Sequence, residues 1–205
     1  LSENPIFVRR LRGGGVLTKE TAIALGVSGP ALRASGVSRD LRKSIPYSSY
    51  EKFDFRVPVR SEGDGYARYV VRIDEMREAV KICGHALALL RDDTLGPYIA
   101  DAPLVVAPPR DEIYSDMAKM TRHWILTIRG FKVPEGEVYR AVEAPRGEFG
   151  VYIRSDGSSK PYRIHYRSPC FVHLQCLEPM SRGELIADLA ANIGSLDFVI
   201  GETDR

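Results

Sequence analysis

The chain has 205 residues, 44% hydrophobic and 27% charged, ordinary values for a globular protein with enough length for a substantial core. Its formal net charge is only +2, and its basic residues are scattered with no Lys/Arg block beside stacking aromatics, so the footprint of a nucleic-acid-binding surface is missing. No apolar run reaches the roughly 18 residues of a spanning helix, so any membrane association is expected to come through partner proteins. The cysteines, Cys83, Cys170 and Cys176, are odd in number and include no Cys-x-x-Cys pair, which points to a reducing compartment and not to a disulfide framework.

The chain opens on Leu1, in a stretch of helical character, with no signal-peptide pattern. Ile6, Phe7 and Leu11 mark a short amphipathic segment that Gly13-Gly-Gly15 closes. Thr18 is placed to cap a helix running to Leu25, with Gly26 as its stop. Gly29-Pro30 opens a further turn, followed by Arg33, Arg39, Arg42 and Lys43, a group expected to be either a solvated basic loop or a functional or subunit-contact loop. Residues 46–64, rich in Pro, Tyr, Ser and Gly, read as an irregular connection. Asp64 then starts the longest regular element. Tyr66, Tyr69, Ile73, Met76, Val80, Cys83, Leu87 and Leu90 recur at three- and four-residue steps, one apolar stripe along a helix. That stripe predicts a helix packed along a bundle, with Met76 and Cys83 in the core.

Pro97, Pro103, Pro108 and Pro109 make residues 91–110 an extended connection. A second helix is predicted from the face formed by Ile113, Met117, Met120, Trp124 and Ile128, ending at Gly130. Side-chain alternation in 138–143 predicts a strand; Pro145 and Gly147 then break it. Phe149, Val151 and Ile153 form a second strand up to the turn dipeptide Asp156-Gly157, and Tyr162, Ile164 and Tyr166 a third. Arg146 and Glu148 flank the glycine at the crest, a charged pair expected to be presented and not packed. A last helix uses Leu185, Ile186, Leu189 and Ile193 and stops near Gly194. These elements define an α+β, mainly helical fold, a long-helix bundle bearing a small antiparallel β-hairpin or sheet, with residues 1–130 mainly helical, 131–175 the hairpin region and 176–205 a helix and tail.

Familiar catalytic templates are missing. Cys170-x-x-His173-x-x-Cys176 has a metal-like look, but in an extended segment residues 170 and 176 face one side and 173 the other, and a structural zinc site takes four ligands. A buried strand-to-loop segment with apolar thiols is the expected alternative. Gly13-Gly-Gly15 lacks the preceding strand and following lysine of a phosphate loop, and neither a Gly-x-Gly-x-x-Gly nor a Gly-x-Ser-x-Gly motif occurs.

Several separated motifs do carry a family resemblance. They are Glu143-Ala-Pro-Arg-Gly-Glu-Phe-Gly150, Ser155-Asp-Gly-Ser-Ser-Lys-Pro-Tyr-Arg163, Arg167-Ser-Pro169, Ser28-Gly-Pro-Ala-Leu-Arg-Ala-Ser-Gly36 with Asp40-Leu-Arg-Lys43, and the ending Ser195-Leu-Asp-Phe-Val-Ile-Gly-Glu-Thr-Asp-Arg205. Together they resemble the large subunit of nickel–iron hydrogenases, and more closely the hydrogenase-related subunit of NADH:quinone oxidoreductase, respiratory complex I. Against that family the chain corresponds to the C-terminal half. The hydrogenases end in Asp-Pro-Cys-x-x-Cys, whose thiolates hold nickel; here Val199 and Glu202 stand at those positions. A valine ligates nothing and one carboxylate poorly replaces a soft thiolate pair, so nickel chemistry is not expected.

The resemblance implies that the vacated region lines a quinone cavity, with Val199, Gly201, Asp204, Arg146 and Glu148 as candidate wall residues. The family's head-group His and Tyr fall upstream of residue 1, and none of His85, His123, His165 or His173 matches that histidine. Asp204 also has a plainer reading, an exposed terminal carboxylate paired with Arg205. The resemblance further implies that no cofactor or metal is bound by this chain and that quinone is the substrate. Iron–sulfur clusters, flavin and NADH chemistry would belong to partner subunits, above all an adjacent iron–sulfur subunit. The location it implies is the cytoplasmic side of the cell membrane, as a peripheral protein. The rival reading is a non-catalytic scaffold that binds partner subunits.

Overall fold

The computed structural model describes residues 2–91, 96, 99–102 and 104–204. Pro97, Pro103 and Arg205, with the expected Asp204–Arg205 pairing, lie outside the described residues. The fold is mainly helical α+β with one small antiparallel sheet, as its periodicities predict. The chain divides into two compact units, one of residues 1–87, 140–151 and 166–205, the other of residues 88–139 and 152–165. No described helix is long and apolar enough to cross a membrane.

The first unit begins with α1 (Pro5–Leu11), capped by the Asn4 side chain, which accepts from the backbone N–H groups of Ile6 and Phe7. Helix α2 (Lys19–Ala24) is capped by Thr18 as expected. Helix α3 (Gly29–Ala34) is buried along its whole length, and α4 (Leu41–Ser44) is capped by Asp40. One turn of 3-10 helix, Tyr50–Lys52, interrupts the irregular connection. The main core gathers Leu17, Ala22, Val27, Ala31, Leu32, Cys176, Met180 and Leu196. Ala34, Ala67 and Val71 form a second cluster where α3 meets the long helix.

That long helix, α5 (Gly65–Leu90), has the predicted extent but turns the opposite face inward. Its buried residues include Ala67, Arg68, Val71 and Glu78, whereas Met76 is 56% and Val80 72% exposed, and Cys83 is exposed as well. The expectation of a core Met76 and Cys83 is therefore corrected. The inner side of α5 must satisfy the backbone carbonyls of Gly15 and Gly63 and the guanidinium of Arg33, which demands charged side chains. The apolar stripe faces outward from Met76 onward, while Tyr66, Tyr69 and Ile73 are half-buried. The last long helix, α10 (Ile186–Leu196), behaves alike: it buries Asn192, Ser195 and Leu196 while Leu185, Ile186 and Leu189 remain exposed.

In the second unit the predicted second helix is two. Helix α6 (Arg110–Ile113) ends at Tyr114, and α7 (Met117–Arg129) restarts with Asp116 capping the N–H groups of Ala118 and Lys119. The helix break comes from that aspartate, whose carboxylate competes for the backbone donors. Gly130 ends α7 at φ 68°, as expected. The predicted face, Met117, Trp124 and Ile128, is exposed.

The sheet has order β1-β2-β3, formed by β1 (Gly136–Ala144), β2 (Gly147–Ser155) and β3 (Arg163–Arg167). Asp156 makes the turn after β2 by accepting from the Ser158 N–H at 3.0 Å. Following β3, residues expected to form a strand-to-loop segment are instead helical: α8 (Pro169–Leu174), capped by Ser168, then α9 (Leu177–Ser181). Proline at the first helical position and serine before it are a helix start that the Cys/His spacing obscured. Helix α11 (Ile200–Asp204) closes the described chain and packs on α8.

Candidate functional site at the Pro-Arg-Gly-Glu turn and the C-terminal tail

The turn between β1 and β2 is pressed into the start of α3. A Cβ on Gly147, whose φ is +145°, would lie 2.5 Å from the Ser28 Oγ, and one on Gly29 would lie 2.4 Å from the Gly147 Cα. Two glycines are thus required for the backbones to meet. Ser28 caps no helical N–H with its side chain because its Oγ accepts from the Glu148 N–H at 3.0 Å. The Ser28 N–H in turn donates to His173 Nε2 at 3.4 Å. Arg167 clamps the same region, donating to the Glu148 carbonyl at 2.7 Å and to the Gly26 carbonyl at 3.1 Å.

Arg146 and Glu148 are tied down separately, which corrects the expectation of a presented charged pair. Arg146 Nε donates to the Asp197 carbonyl oxygen at 2.7 Å and lies 3.6 Å from its carboxylate. Glu148 receives Arg39 at 3.1 Å, with Arg167 at 4.0 Å. Arg146 therefore joins the turn to the chain just before the tail, where Asp197 adopts a left-handed backbone, φ 54°. Beyond it Val199 is 43% exposed, Gly201 has open space at its Cβ position, and Asp204 is exposed.

Behind the turn lies a charge cluster that takes Arg33 and Arg42 out of the basic loop, while Arg39 and Lys43 stay exposed. Arg33 is 1% exposed, and its guanidinium donates to Glu75 at 2.6 Å, to Glu143 at 2.7 Å and to the Arg39 carbonyl at 2.8 Å. Burial opposes its charge, but Glu75 and Glu143 outweigh burial and raise its pKa. Asp40 is held below the usual carboxylate range: burial works against its charge, and the hydrogen bonds and charge of Arg42 prevail. Glu143 also accepts from the Leu41 N–H, and its own N–H donates to the Tyr47 hydroxyl. One cluster thus fixes α3, α4, α5 and the end of β1.

On the far side, Arg68 donates to the carbonyls of Gly15 and Gly63 and to the Ser195 Oγ, all within 3.1 Å. Burial and the neighbouring Arg72 push its pKa down to about 10. Arg72 donates to the Ser195 carbonyl at 2.8 Å. A groove of about 820 Å³ follows, lined mainly by apolar groups of α1, α5 and α10, including Phe7, Leu11 and Tyr69, with Arg72 and Asp197 at its wall. None of Val199, Gly201, Asp204, Arg146 and Glu148 lines that groove; Arg146 reaches it only through Asp197. Asp197, Arg72 and Ser195 were not singled out from the sequence. Their signal was weak, since Asp197 and Ser195 lie inside a motif read for Val199 and Glu202, and Arg72 lies off the apolar stripe by which its helix was read.

Below the tail, α8 buries Cys170 and His173 completely. The Cys170 thiol donates to Glu202 Oε2. Burial and the positive Arg72 push His173 down to about 4, so its ring is neutral and accepts from Ser28. Among the described residues no group of three His, Cys, Asp or Glu side chains is arranged to hold a metal ion.

Comparison with known proteins agrees with these motifs along the whole chain. Residues 1–205 match the family described as respiratory-chain NADH dehydrogenase, 49 Kd subunit, and the chain belongs to that family. It is 53% identical over 205 residues to an NADH-quinone oxidoreductase subunit of Koribacter versatilis. It is 51% identical to the equivalent NADH-quinone oxidoreductase subunits of a Roseiflexus species and of Citrifermentans bemidjiense. Each match covers 100% of this chain but only 50%, 49% and 52% of the relative, so the chain spans about half the length of the curated relatives it matches.

Proposed function

We propose that this chain supplies one wall of the quinone cavity in a proton-translocating NADH:quinone oxidoreductase, next to an iron–sulfur subunit that delivers the electrons. What carries the reading is the bond from Arg146 to the Asp197 carbonyl, which joins the Pro-Arg-Gly-Glu turn and the C-terminal tail into one surface in a chain of this family. Such a site needs an apolar slot with a few polar groups to orient the quinone oxygens and help protonate them. Val199 would offer the apolar contact, and Arg146, Glu148 and Asp204 would set the polarity of the rim. The head-group residues themselves would come from outside this chain, as would flavin, iron–sulfur clusters and the NADH site. Membrane attachment would be peripheral, on the cytoplasmic face, through partner subunits.

The test is Val199→Met in the assembled complex. It adds bulk to an exposed apolar position, and a misplaced methylene-sized group changes discrimination by about 1–3 kcal/mol. Quinone kinetics and inhibitor titration should shift several-fold, whereas NADH oxidation by an artificial acceptor that bypasses quinone should hold. Wild-type quinone kinetics and inhibitor sensitivity in the fully assembled variant would remove the tail from the site.

A further inference from the structure

A buried sulfur of α8 lies beneath the C-terminal tail and bonds to it. Cys170, fully buried near the start of α8, donates its S–H to Glu202 Oε2 on α11. Helix α11 packs on α8 at this point, with Val199 immediately before its first residue. The thiol therefore holds the tail one residue beyond Gly201, where a Cβ would meet open space. Helix α11 has only five residues, Ile200–Asp204, and buries none of them, so packing alone offers it little. Burial and the hydrogen bond to Glu202 push the thiol up to about 11, so at neutral pH it remains a neutral donor and not a thiolate.

We propose that Cys170 is a positioning residue for quinone handling: its thiol, bonded to Glu202 on α11, sets where the tail presents Val199 to the cavity. The inference rests on the proposed quinone site. Cys170 itself does not reach the cavity, because it is enclosed under the tail. It acts on quinone through residue 199.

The experiment uses the full complex with Cys170→Ser, Cys170→Val and Glu202→Gln. Cys170→Ser retains a donor and an acceptor at that point and should keep quinone KM and inhibitor affinity within about twofold of wild type, since only the atom changes. Cys170→Val fills the space without hydrogen bonding and should raise quinone KM and the half-inhibiting concentration several-fold, with the artificial-acceptor rate held. Glu202→Gln keeps shape but replaces a charge-assisted bond by a neutral one, and should shift the same values less. Its effect should largely vanish when placed on Cys170→Val, because the bond it weakens is already gone. If valine preserves both values and serine does not, the residue acts by volume and the proposal is overturned. Should valine prevent assembly, Glu202→Gln decides alone: unchanged quinone KM and inhibitor affinity overturn the proposal. Where Val199→Met shifts inhibitor affinity but all three of these variants match wild type, the latch fails and the quinone site stands; where none shifts it, the quinone site fails as well.

Discussion

The two faces of α5 are built from opposite chemistry in the opposite places. The inward face carries Arg68, which is fully buried, with Glu75 and Glu78, while Met76 and Val80 point out. An isolated soluble helix would reverse this, with its apolar stripe inward. The difference shows that the interior of this unit is held as much by charge pairing and backbone satisfaction as by apolar burial. It also leaves Met76, Val80 and Leu87 of α5 exposed. Exposed contiguous apolar surface of this kind marks an interaction face.

The largest effect should come from breaking the inward face. Arg33→Met leaves Glu75 and Glu143 buried without their partner, and removing one member of a buried pair costs about 3–5 kcal/mol. Denaturant unfolding of the chain should show a midpoint lowered to match, and a loss under about 1 kcal/mol, the scale of an exposed pair, would mean that the cluster is solvated after all.

His173 sharpens the comparison through pH. Its ordinary value is 6.5, and burial with Arg72 lowers it to about 4 in the folded chain. Between these values the unfolded chain takes up a proton that the folded chain refuses, so stability falls as pH drops through the window. The full loss is about 3 kcal/mol, at roughly 1.36 kcal/mol per pH unit. Thermal unfolding against pH should show that decline, and His173→Gln should flatten it while keeping an acceptor for the Ser28 N–H. An unchanged slope in the variant would assign the decline to the carboxylates instead.

The smallest effect belongs to the outward face. Met76→Ser with Val80→Ser should alter stability by less than about 0.5 kcal/mol each, as exposed substitutions do, and a destabilisation above about 2 kcal/mol would place these residues in a core and cancel the contrast with Arg33. The same pair should reduce self-association of the isolated chain in sedimentation experiments.

These contrasts explain which features could be read from the sequence. The extent of α5, the Thr18 cap, the Gly130 stop and the three strands follow from local rules of period, capping and turn chemistry. Which face of a helix turns inward does not, because the 3.6-residue period locates a stripe but cannot name its partner. Arg33 looked like part of a basic loop because its partners, Glu75 and Glu143, lie 42 and 110 residues away. The site divided in the same way. The Arg146 and Val199 motifs stood out through family resemblance, while Asp197, Cys170 and His173 acquire their roles only when α8, α11 and the β1–β2 turn come together. The split of the second helix was present in Asp116, a capping residue masked by a face that continued in register on both sides.

The central functional reading is tested most directly by photolabelling the assembled complex with a light-activated quinone analogue and mapping the modified residues. Label is expected within residues 197–204 of this chain, suppressed by excess quinone or by a quinone-site inhibitor. Quinone-protected label confined to other segments or to other chains of the complex, with residues 143–148 and 197–204 unmodified, would contradict it.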